Sequence, residues 1–412
     1  MKIYIKIIQI ITLLFIILNP LILSSSKLNT DILIYLLFII QLIGFLIFKS
    51  ERKRIFHLLK TIYSQRILLS LIILNIILYI STIVAYDKRL SITHSIRFSL
   101  YIFIFYTISY ICINKYNIRM FINSFLITNL IITYYSIIEI KALYSTGLTI
   151  SRSNRIASLL ENSNNLGIFS LMCLFISLML IIDTKNIVLK IFYGIVFACC
   201  SFNIVVCQSR NAILGIIIGV AIITLFYNKK LLYFYTLSPL LLLIPKIRIL
   251  ALNLLSLTPD SSRYKIWKTT ALMIKDHPLF GIGYENYSAL YMDYVNKSKE
   301  TLTTMEGYGW IAQHPHNMFL KFQVEAGILG SISLLVFLII TSIMLFKHIR
   351  NRNIKINKLM LSIFIVFVTF NLLSIFDCYY STLKLSTAIF IILGFGVSLM
   401  NIYDKNYFSN YN

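Results

Sequence analysis

The sequence predicts an all-α polytopic membrane protein, and two observations support this fold class. Hydrophobic residues make up 58% of the 412 residues and charged residues 13%, with a mean hydropathy of +0.82. Soluble domains are far less apolar and carry about twice that share of charge. The apolar residues also form long continuous runs, whereas membrane strands would alternate every second residue.

The apolar runs define about twelve transmembrane helices. A helix needs about 20 apolar residues to cross a bilayer core of about 30 Å. The first run follows Lys2 and Lys6 and is interpreted as a retained helix, because it is longer than the apolar part of a signal peptide. The predicted spans are 7–24, 31–48, 67–86, 97–113, 120–140, 166–182, 191–207, 211–227, 231–245, 327–346, 359–376 and 385–403.

The basic residues orient these helices. Six of them lie in 49–66 and five in 347–358, and Lys and Arg in short loops stay cytoplasmic. Both termini are therefore predicted to be cytoplasmic. Residues 1–245 would hold nine spans, 246–326 one large outward-facing loop, and 327–412 three spans and a cytoplasmic tail. The net charge of +23 fits this topology and attraction to membrane lipids, and no nucleic-acid partner is expected.

Polar residues gather at the predicted outer ends of the helices. The stretch "SRSNRIASLLENSNNLG" contains Arg155 and Asn165, which are candidates for binding a polar substrate, although an ordinary loop with amide caps is the more common arrangement of such residues. Arg210 lies in a short outer turn, against the usual charge distribution. It either binds a ligand there or extends to the lipid phosphates.

A helix in the outward loop carries a second arginine. Ser262 or a neighbour can cap it, and His277 and Pro278 end it. Arg263 then lies in the first turn, where a cation opposes the helix dipole. A helix N-terminus with an arginine is suited to bind phosphate.

The stretch "QHPHNMFLKFQVEAGILG" contains two of the six histidines. We expect His314 to cap the helix that leads into the tenth span, with Pro315 in its first turn. His316 would then lie at the aqueous edge of the membrane.

Three polar residues follow His316 at intervals of four. Asn317, Lys321 and Glu325 would share one helix face, with Asn317 a candidate for substrate binding. Lys321 and Glu325 are predicted to form a structural pair. On a straight helix Glu325 lies on the side opposite His316, so it would not orient the imidazole.

The predicted outer face thus offers arginines and histidine without a cluster of carboxylates. Guanidinium groups bind phosphate with two parallel hydrogen bonds, and a neutral imidazole can accept a proton at neutral pH. This set suits a phosphorylated substrate and predicts neither a metal site nor a cofactor.

Four motifs resemble those of the O-antigen ligase and O-antigen polymerase superfamily of bacterial envelope glycosyltransferases. They are "ENSNNLG", "SRNAILG", "RYKIWKTTALMIKDHPLFGIGYENY" and "HPHNMFLKFQVEAGILG", in the order of that family. The resemblance covers about 152–330, and the first five spans match only in being hydrophobic.

The resemblance implies a GT-C-like helical fold in the bacterial inner membrane with an outward-facing active site. Such enzymes take a glycan from undecaprenyl diphosphate. Carried over by motif, Arg210 and Arg263 would bind the diphosphate and His316 would activate the acceptor hydroxyl, with His314 as the alternative base. The implied reaction is an inverting transfer without metal or cofactor.

Members of the superfamily differ in the acceptor that receives the glycan. A ligase joins O-antigen to lipid A core, whereas an O-antigen or capsule polymerase extends a second lipid-linked glycan. Polymerases often carry an arginine and a glycine separated by ten residues, but Ala221 and Ile274 occupy that distance from Arg210 and Arg263. The sequence therefore favours a ligase. A lipid-oligosaccharide flippase would require more polar groups along the spans.

The basic residues generate a test of the orientation. A topology reporter fused at Lys53 or Arg352 is expected to read as cytoplasmic, and one at Lys297 as external. An external signal at Arg352 would contradict the orientation and the outward position of the candidate site.

Overall fold

The computed structural model describes residues 2–23, 31–61, 65–112, 114–151, 153–227, 262–297, 312–349 and 357–403. Within these ranges the chain forms fourteen α-helices and three short 3₁₀ turns, and no strand occurs. The all-α prediction is confirmed.

The helices are numbered here in chain order. Their bounds are α1 Lys2–Leu18, α2 Asp31–Ile47, α3 Lys49–Thr61, α4 Arg66–Ser81, α5 Lys88–Ile111, α6 Lys115–Ser145, α7 Ser163–Asp183, α8 Ile187–Val206, α9 Arg210–Tyr227, α10 Ser262–Asp276, α11 Tyr287–Lys297, α12 Met318–Lys347, α13 Lys358–Leu373 and α14 Leu383–Tyr403. The 3₁₀ turns are Thr82–Val84, Ser158–Leu160 and Tyr379–Ser381.

Eleven predicted spans correspond to helices: α1, α2, α4 to α9, and α12 to α14. Six of the described helices are long and apolar enough to cross a membrane, and several shorter apolar helices accompany them. The polytopic membrane class is therefore confirmed. The predicted ninth span, 231–245, lies outside the described residues.

The core of the bundle centres on α7 and α14, whose apolar windows are the most buried among the long helices. Helix α7 packs against α8, α9 and α13, while α14 packs along α5 and α12 packs along α4. These contacts bring the N-terminal ends of α7, α9, α12 and α14 and the C-terminal ends of α4, α8 and α13 to one end of the bundle.

A kink in α12 connects the bundle to the preceding loop, residues 277–286. At Gly327 the backbone leaves the helical region, with φ 66° and ψ −165°, so carbonyls of the preceding turn lose helical donors. Ile282 N donates to Val324 O at 3.0 Å and Gly283 N to Glu325 O at 2.9 Å. A Cβ on Gly327 would lie 2.0 Å from Leu279 O, so the close approach requires glycine.

The same loop also binds the turn between α4 and α5. Asn286 Oδ1 accepts from Asp87 N at 2.6 Å, and Tyr284 N donates to Ser81 Oγ at 3.2 Å. Loop 277–286 is thereby held between α4, α5 and α12.

The prediction that His314 caps α12 is wrong. The helix begins at Met318, and Asn317 Oδ1 accepts from Phe319 N at 2.9 Å and Leu320 N at 3.1 Å. Asparagine is among the strongest N-caps, so the helix starts after it. His314 and Pro315 remain in an irregular segment outside the helix.

Candidate functional site

His316 and Asp377 form the centre of the candidate site. His316 Nδ1 lies 3.2 Å from Asp377 Oδ1, and the side chains are 29% and 12% exposed. Burial opposes ionisation of Asp377, but the hydrogen bond and charge of His316 hold the pKa of its carboxyl below the usual value. Since an ionised carboxylate only accepts hydrogen bonds, Nδ1 carries the proton. Nε2 of the neutral ring is then free to accept one.

His314 contacts both the backbone and the ring of His316. Its Nδ1 accepts from His316 N at 3.2 Å, and the two ring centroids are 4.4 Å apart. Burial lowers the pKa of His314 to about 4, so the ring is neutral near pH 7. Because its Nδ1 is already an acceptor for the backbone, the geometry favours His316 over His314 as the base.

The backbone of the histidine segment, residues 312–317, is fixed by α10. Trp267 Nε1 donates to Pro315 O at 2.8 Å. His316 itself adopts a left-handed conformation with φ 50°, which is costly for a residue with a Cβ and persists where surrounding contacts hold it. The contacts of Trp267 and Asp377 supply this constraint.

Asn164 at the start of α7 links Asp377 to the turn between α8 and α9. Its Nδ2 donates to Asp377 Oδ2 at 3.4 Å. Its Oδ1 accepts from Arg155 Nη2 and from Ser209 Oγ, both at 3.1 Å. Arg155, predicted as a substrate contact, thus lies within two hydrogen bonds of Asp377.

The other two predicted amides have local backbone partners. Asn165 Nδ2 donates to Leu160 O at 3.4 Å, and Asn317 caps α12 as described above. The amide that reaches the site is the neighbouring Asn164, which the sequence analysis did not select. Adjacent helical residues point about 100° apart, and only the packing of α7 decides which one faces Asp377.

Tyr379 contacts the start of α9, the helix that begins with Arg210, and lies near Arg263. Arg210 opens α9, and the next residue, Asn211, donates from Nδ2 to Tyr379 Oη at 2.6 Å. Burial raises the pKa of Tyr379, while the nearby Arg263 partly offsets that effect. The structure therefore brings Arg263 and the start of α9 to the turn that carries Asp377.

A buried charge triad holds α12 against loop 277–286. Lys321 Nζ lies 2.8 Å from Glu285 Oε2 and 3.2 Å from Glu325 Oε1, which confirms the predicted pair of Lys321 and Glu325. Burial would raise the pKa of Glu285, but Lys321 holds it below its usual value. Glu285 was not predicted. It joins the triad because loop 277–286 folds back on α12.

Asp377 is the main site residue that sequence reasoning missed. It lies between α13 and the last 3₁₀ turn, just after the predicted span 359–376. The available signal was a single carboxylate in the apolar stretch "SIFDCYY" at a predicted outer helix end. Its partner His316 is 61 residues away in the chain, so no periodicity indicates the contact.

Three of these residues could also hold a metal ion. Ligand atoms of His314, His316 and Asp377 lie within 4.8 Å of one another, and two imidazoles with one carboxylate match the protein ligands of many catalytic zinc sites. The sequence analysis predicted no metal site, but it did not select Asp377, the carboxylate of this group. In the described arrangement, His316 Nδ1 and Asp377 Oδ1 face each other directly, so an ion at those atoms would replace their hydrogen bond.

The triad generates a stability prediction. Lys321→Met leaves Glu285 and Glu325 buried without their cation and should lower the free energy of unfolding by about 3–5 kcal/mol. Thermal melting of the purified protein in detergent measures the loss. Lys347→Met, at the exposed end of the same helix, is the matched control. Equal melting temperatures for the two variants would contradict a stabilising role for the triad.

Comparison with known proteins identifies the region that contains most of this site. Residues 195–335 match the family described as O-antigen ligase, an interval that holds Arg210, Arg263 and both site histidines. A 98-residue stretch is 26% identical to an uncharacterized protein of Haemophilus influenzae, covering 24% of this chain and 23% of that protein. The chain thus spans about a quarter of that relative's length. The family match covers about a third of this chain, and that region is similar to O-antigen ligases.

Proposed function

We propose that this protein transfers a glycan from undecaprenyl diphosphate to an acceptor hydroxyl at the outer face of the bacterial inner membrane. The family supports a glycan-transfer role in O-antigen assembly. The proposed donor and reaction are supported mainly by one observation, the pair of His316 and Asp377 near Arg263 and the start of α9. It combines an oriented base with cations suited to a diphosphate.

His316 acts as the general base. Asp377 keeps the proton on Nδ1, so Nε2 takes the proton of the acceptor hydroxyl as its oxygen attacks the anomeric carbon. The imidazolium that forms is stabilised by the adjacent carboxylate. The bond between the anomeric carbon and the diphosphate oxygen breaks, and its electron pair leaves with the carrier lipid. One displacement of this kind inverts the configuration at that carbon.

Arg210 and Arg263 stabilise the leaving group. Negative charge grows on the diphosphate as the bond breaks, and preorganised cations in a site shielded from water stabilise that charge strongly. Arg263 lies in the first turn of α10, where the backbone N–H groups of the helix add to its positive field. Arg155, held by Asn164, is a third cation near the same carboxylate.

We propose lipid A core as the acceptor, which makes the enzyme a ligase. A polymerase, acting on a second lipid-linked glycan, is the alternative. The purified protein would be given an undecaprenyl diphosphate-linked glycan together with lipid A core. Glycan-bearing lipid A core is the expected product. Lengthened lipid-linked glycan would favour the polymerase, and transport of intact donor across a vesicle without transfer would favour the flippase.

The base assignment is tested by substitution. His316→Ala should lower turnover by about 10²–10⁴-fold, the usual contribution of general-base catalysis. Asp377→Asn should also reduce turnover, because the amide can donate to Nδ1 and place the ring in the wrong tautomer. Glycan transfer by equal amounts of folded protein is the measurement, with donor binding followed separately.

Two other histidine variants serve as controls. His314→Gln keeps an acceptor for His316 N and should have a modest effect. His348→Ala, at the opposite end of α12, should have none. A collapse of transfer in His314→Gln with His316→Ala near wild type would assign the base to His314. Full transfer by both variants would refute the histidine mechanism.

We also propose that transfer does not depend on a metal ion. The arginines supply the charge that a metal would otherwise provide, and His316 and Asp377 already bind each other. Transfer by the purified protein is therefore expected to survive EDTA. Loss of activity in EDTA that zinc, magnesium or manganese restores would instead favour a metal held by His314, His316 and Asp377.

A further inference from the structure

A lateral groove lies between α2, α4 and α5 and is bounded at one end by α3. It has a volume of about 470 Å³, within the range of small-molecule sites. Its walls are almost entirely apolar and include Phe38, Leu42, Phe45, Ile55, Ile72 and Phe103.

The groove occupies the half of the bundle opposite the histidine site. Helix α4 passes from Leu68, which lines the groove, to Ser81, which accepts a hydrogen bond from loop 277–286. The helix rise to Ser81 is about 20 Å from Leu68 and about 14 Å from Ile72, which also lines the groove, at about 1.5 Å per residue. The groove and the candidate active site are therefore separate places on the molecule.

The open side of the groove faces the bilayer. Phe38 and Leu42 of α2 are 50% and 47% exposed, and exposed apolar side chains on a membrane-spanning helix contact lipid chains. An apolar cleft that opens sideways into hydrocarbon is suited to a lipid chain, because a polar ligand would find few hydrogen-bond partners on its walls.

One face of helix α3 packs against the bundle and closes the end of the groove. Ile55 lines the groove, and Glu51, one turn earlier, is buried and accepts a hydrogen bond from Tyr110 Oη on α5. These two residues, four apart, hold one side of α3 against the bundle.

The opposite face of α3 is cationic. Lys49, Arg52, Lys53 and Phe56 are exposed, and their spacing of three and four places them on one side of the helix. A helix with basic residues on one face and apolar residues such as Ile55 on the other is typical of helices that lie in the headgroup region. Each Lys or Arg near an anionic membrane surface contributes about 1 kcal/mol of attraction.

We propose that this groove and the exposed face of α3 bind one anionic phospholipid. An acyl chain occupies the groove, and the headgroup lies beside α3, where the long side chains of Lys49, Arg52 and Lys53 extend around the helix to the phosphate. The predicted orientation assigns this lipid to the cytoplasmic leaflet. The headgroup lies at the end of the bundle away from His316, whereas a glycan donor has to place its diphosphate beside that histidine. The ligand is therefore a membrane phospholipid and not the carrier lipid.

The test uses tryptophan fluorescence quenched by phospholipids with brominated acyl chains. Leu42→Trp places a probe in the groove, and Ile339→Trp, exposed on α12, is the matched lipid-facing control. The parent protein gives the background from its two native tryptophans. Brominated phosphatidylglycerol, added to the detergent-solubilised protein, should quench the Leu42→Trp probe at a lower concentration than the control probe.

The headgroup contribution is measured in the same assay. Brominated phosphatidylcholine should show no preference for the groove probe. Changing Lys49, Arg52 and Lys53 together to Gln should raise the half-quenching concentration of phosphatidylglycerol at Leu42→Trp by roughly 10- to 100-fold, since three cations are removed. Quenching at Ile339→Trp should not change.

Four results would overturn the proposal. Equal quenching at both probes would mean that the groove holds no specific lipid, and equal effects of both headgroups would mean that α3 does not select charge. Displacement of brominated phosphatidylglycerol by undecaprenyl phosphate, but not by plain phosphatidylglycerol, would assign the groove to the carrier chain. Protection of the groove probe only in dimers would assign it to a second copy. None of these outcomes depends on whether glycan transfer occurs.

Discussion

The kink of α12 at Gly327 is the constraint on which the site depends. A regular helix would satisfy its own carbonyls, but the break exposes those of Val324 and Glu325 to donors from Ile282 and Gly283. Loop 277–286 is bound there, and α10, which runs directly into that loop, is held in place. Trp267 of α10 then fixes the carbonyl of Pro315 and, with it, the left-handed backbone of the next residue.

Buried charge is tolerated at this end of the bundle because each charge has a partner from another part of the chain. Lys321 is matched by Glu285 and Glu325, and Asp377 by His316. An unpaired ion at these depths would be strongly destabilising. In the proposed mechanism the same pairing has a second role, because the carboxylate of Asp377 determines which nitrogen of the His316 ring can accept a proton.

Sequence rules that depend on neighbouring residues predicted the helix end and the ion pair formed by residues close in the chain. The end of α10 before His277 follows from the proline that succeeds it, and the pair of Lys321 and Glu325 follows from helical spacing. The cap of α12 was wrong because two candidate positions lay within four residues and the stronger cap, Asn317, prevails. Asp377 could not be paired with its partner from sequence, because the contact depends on how α13 packs beside the histidine segment.

The family match covers only part of the candidate site. Residues 195–335 include the proposed base and the two predicted arginines. Asn164 and Asp377, which bind each other, lie outside that interval on either side. Helices α4 and α5 contribute no group to the proposed reaction, yet the turn between them clamps loop 277–286 through Ser81 and Asp87. Their other ends form the lipid-facing groove with α2 and α3. The same two helices thus connect the proposed active site to the proposed lipid groove, because α4 packs along α12 and α5 packs along α14.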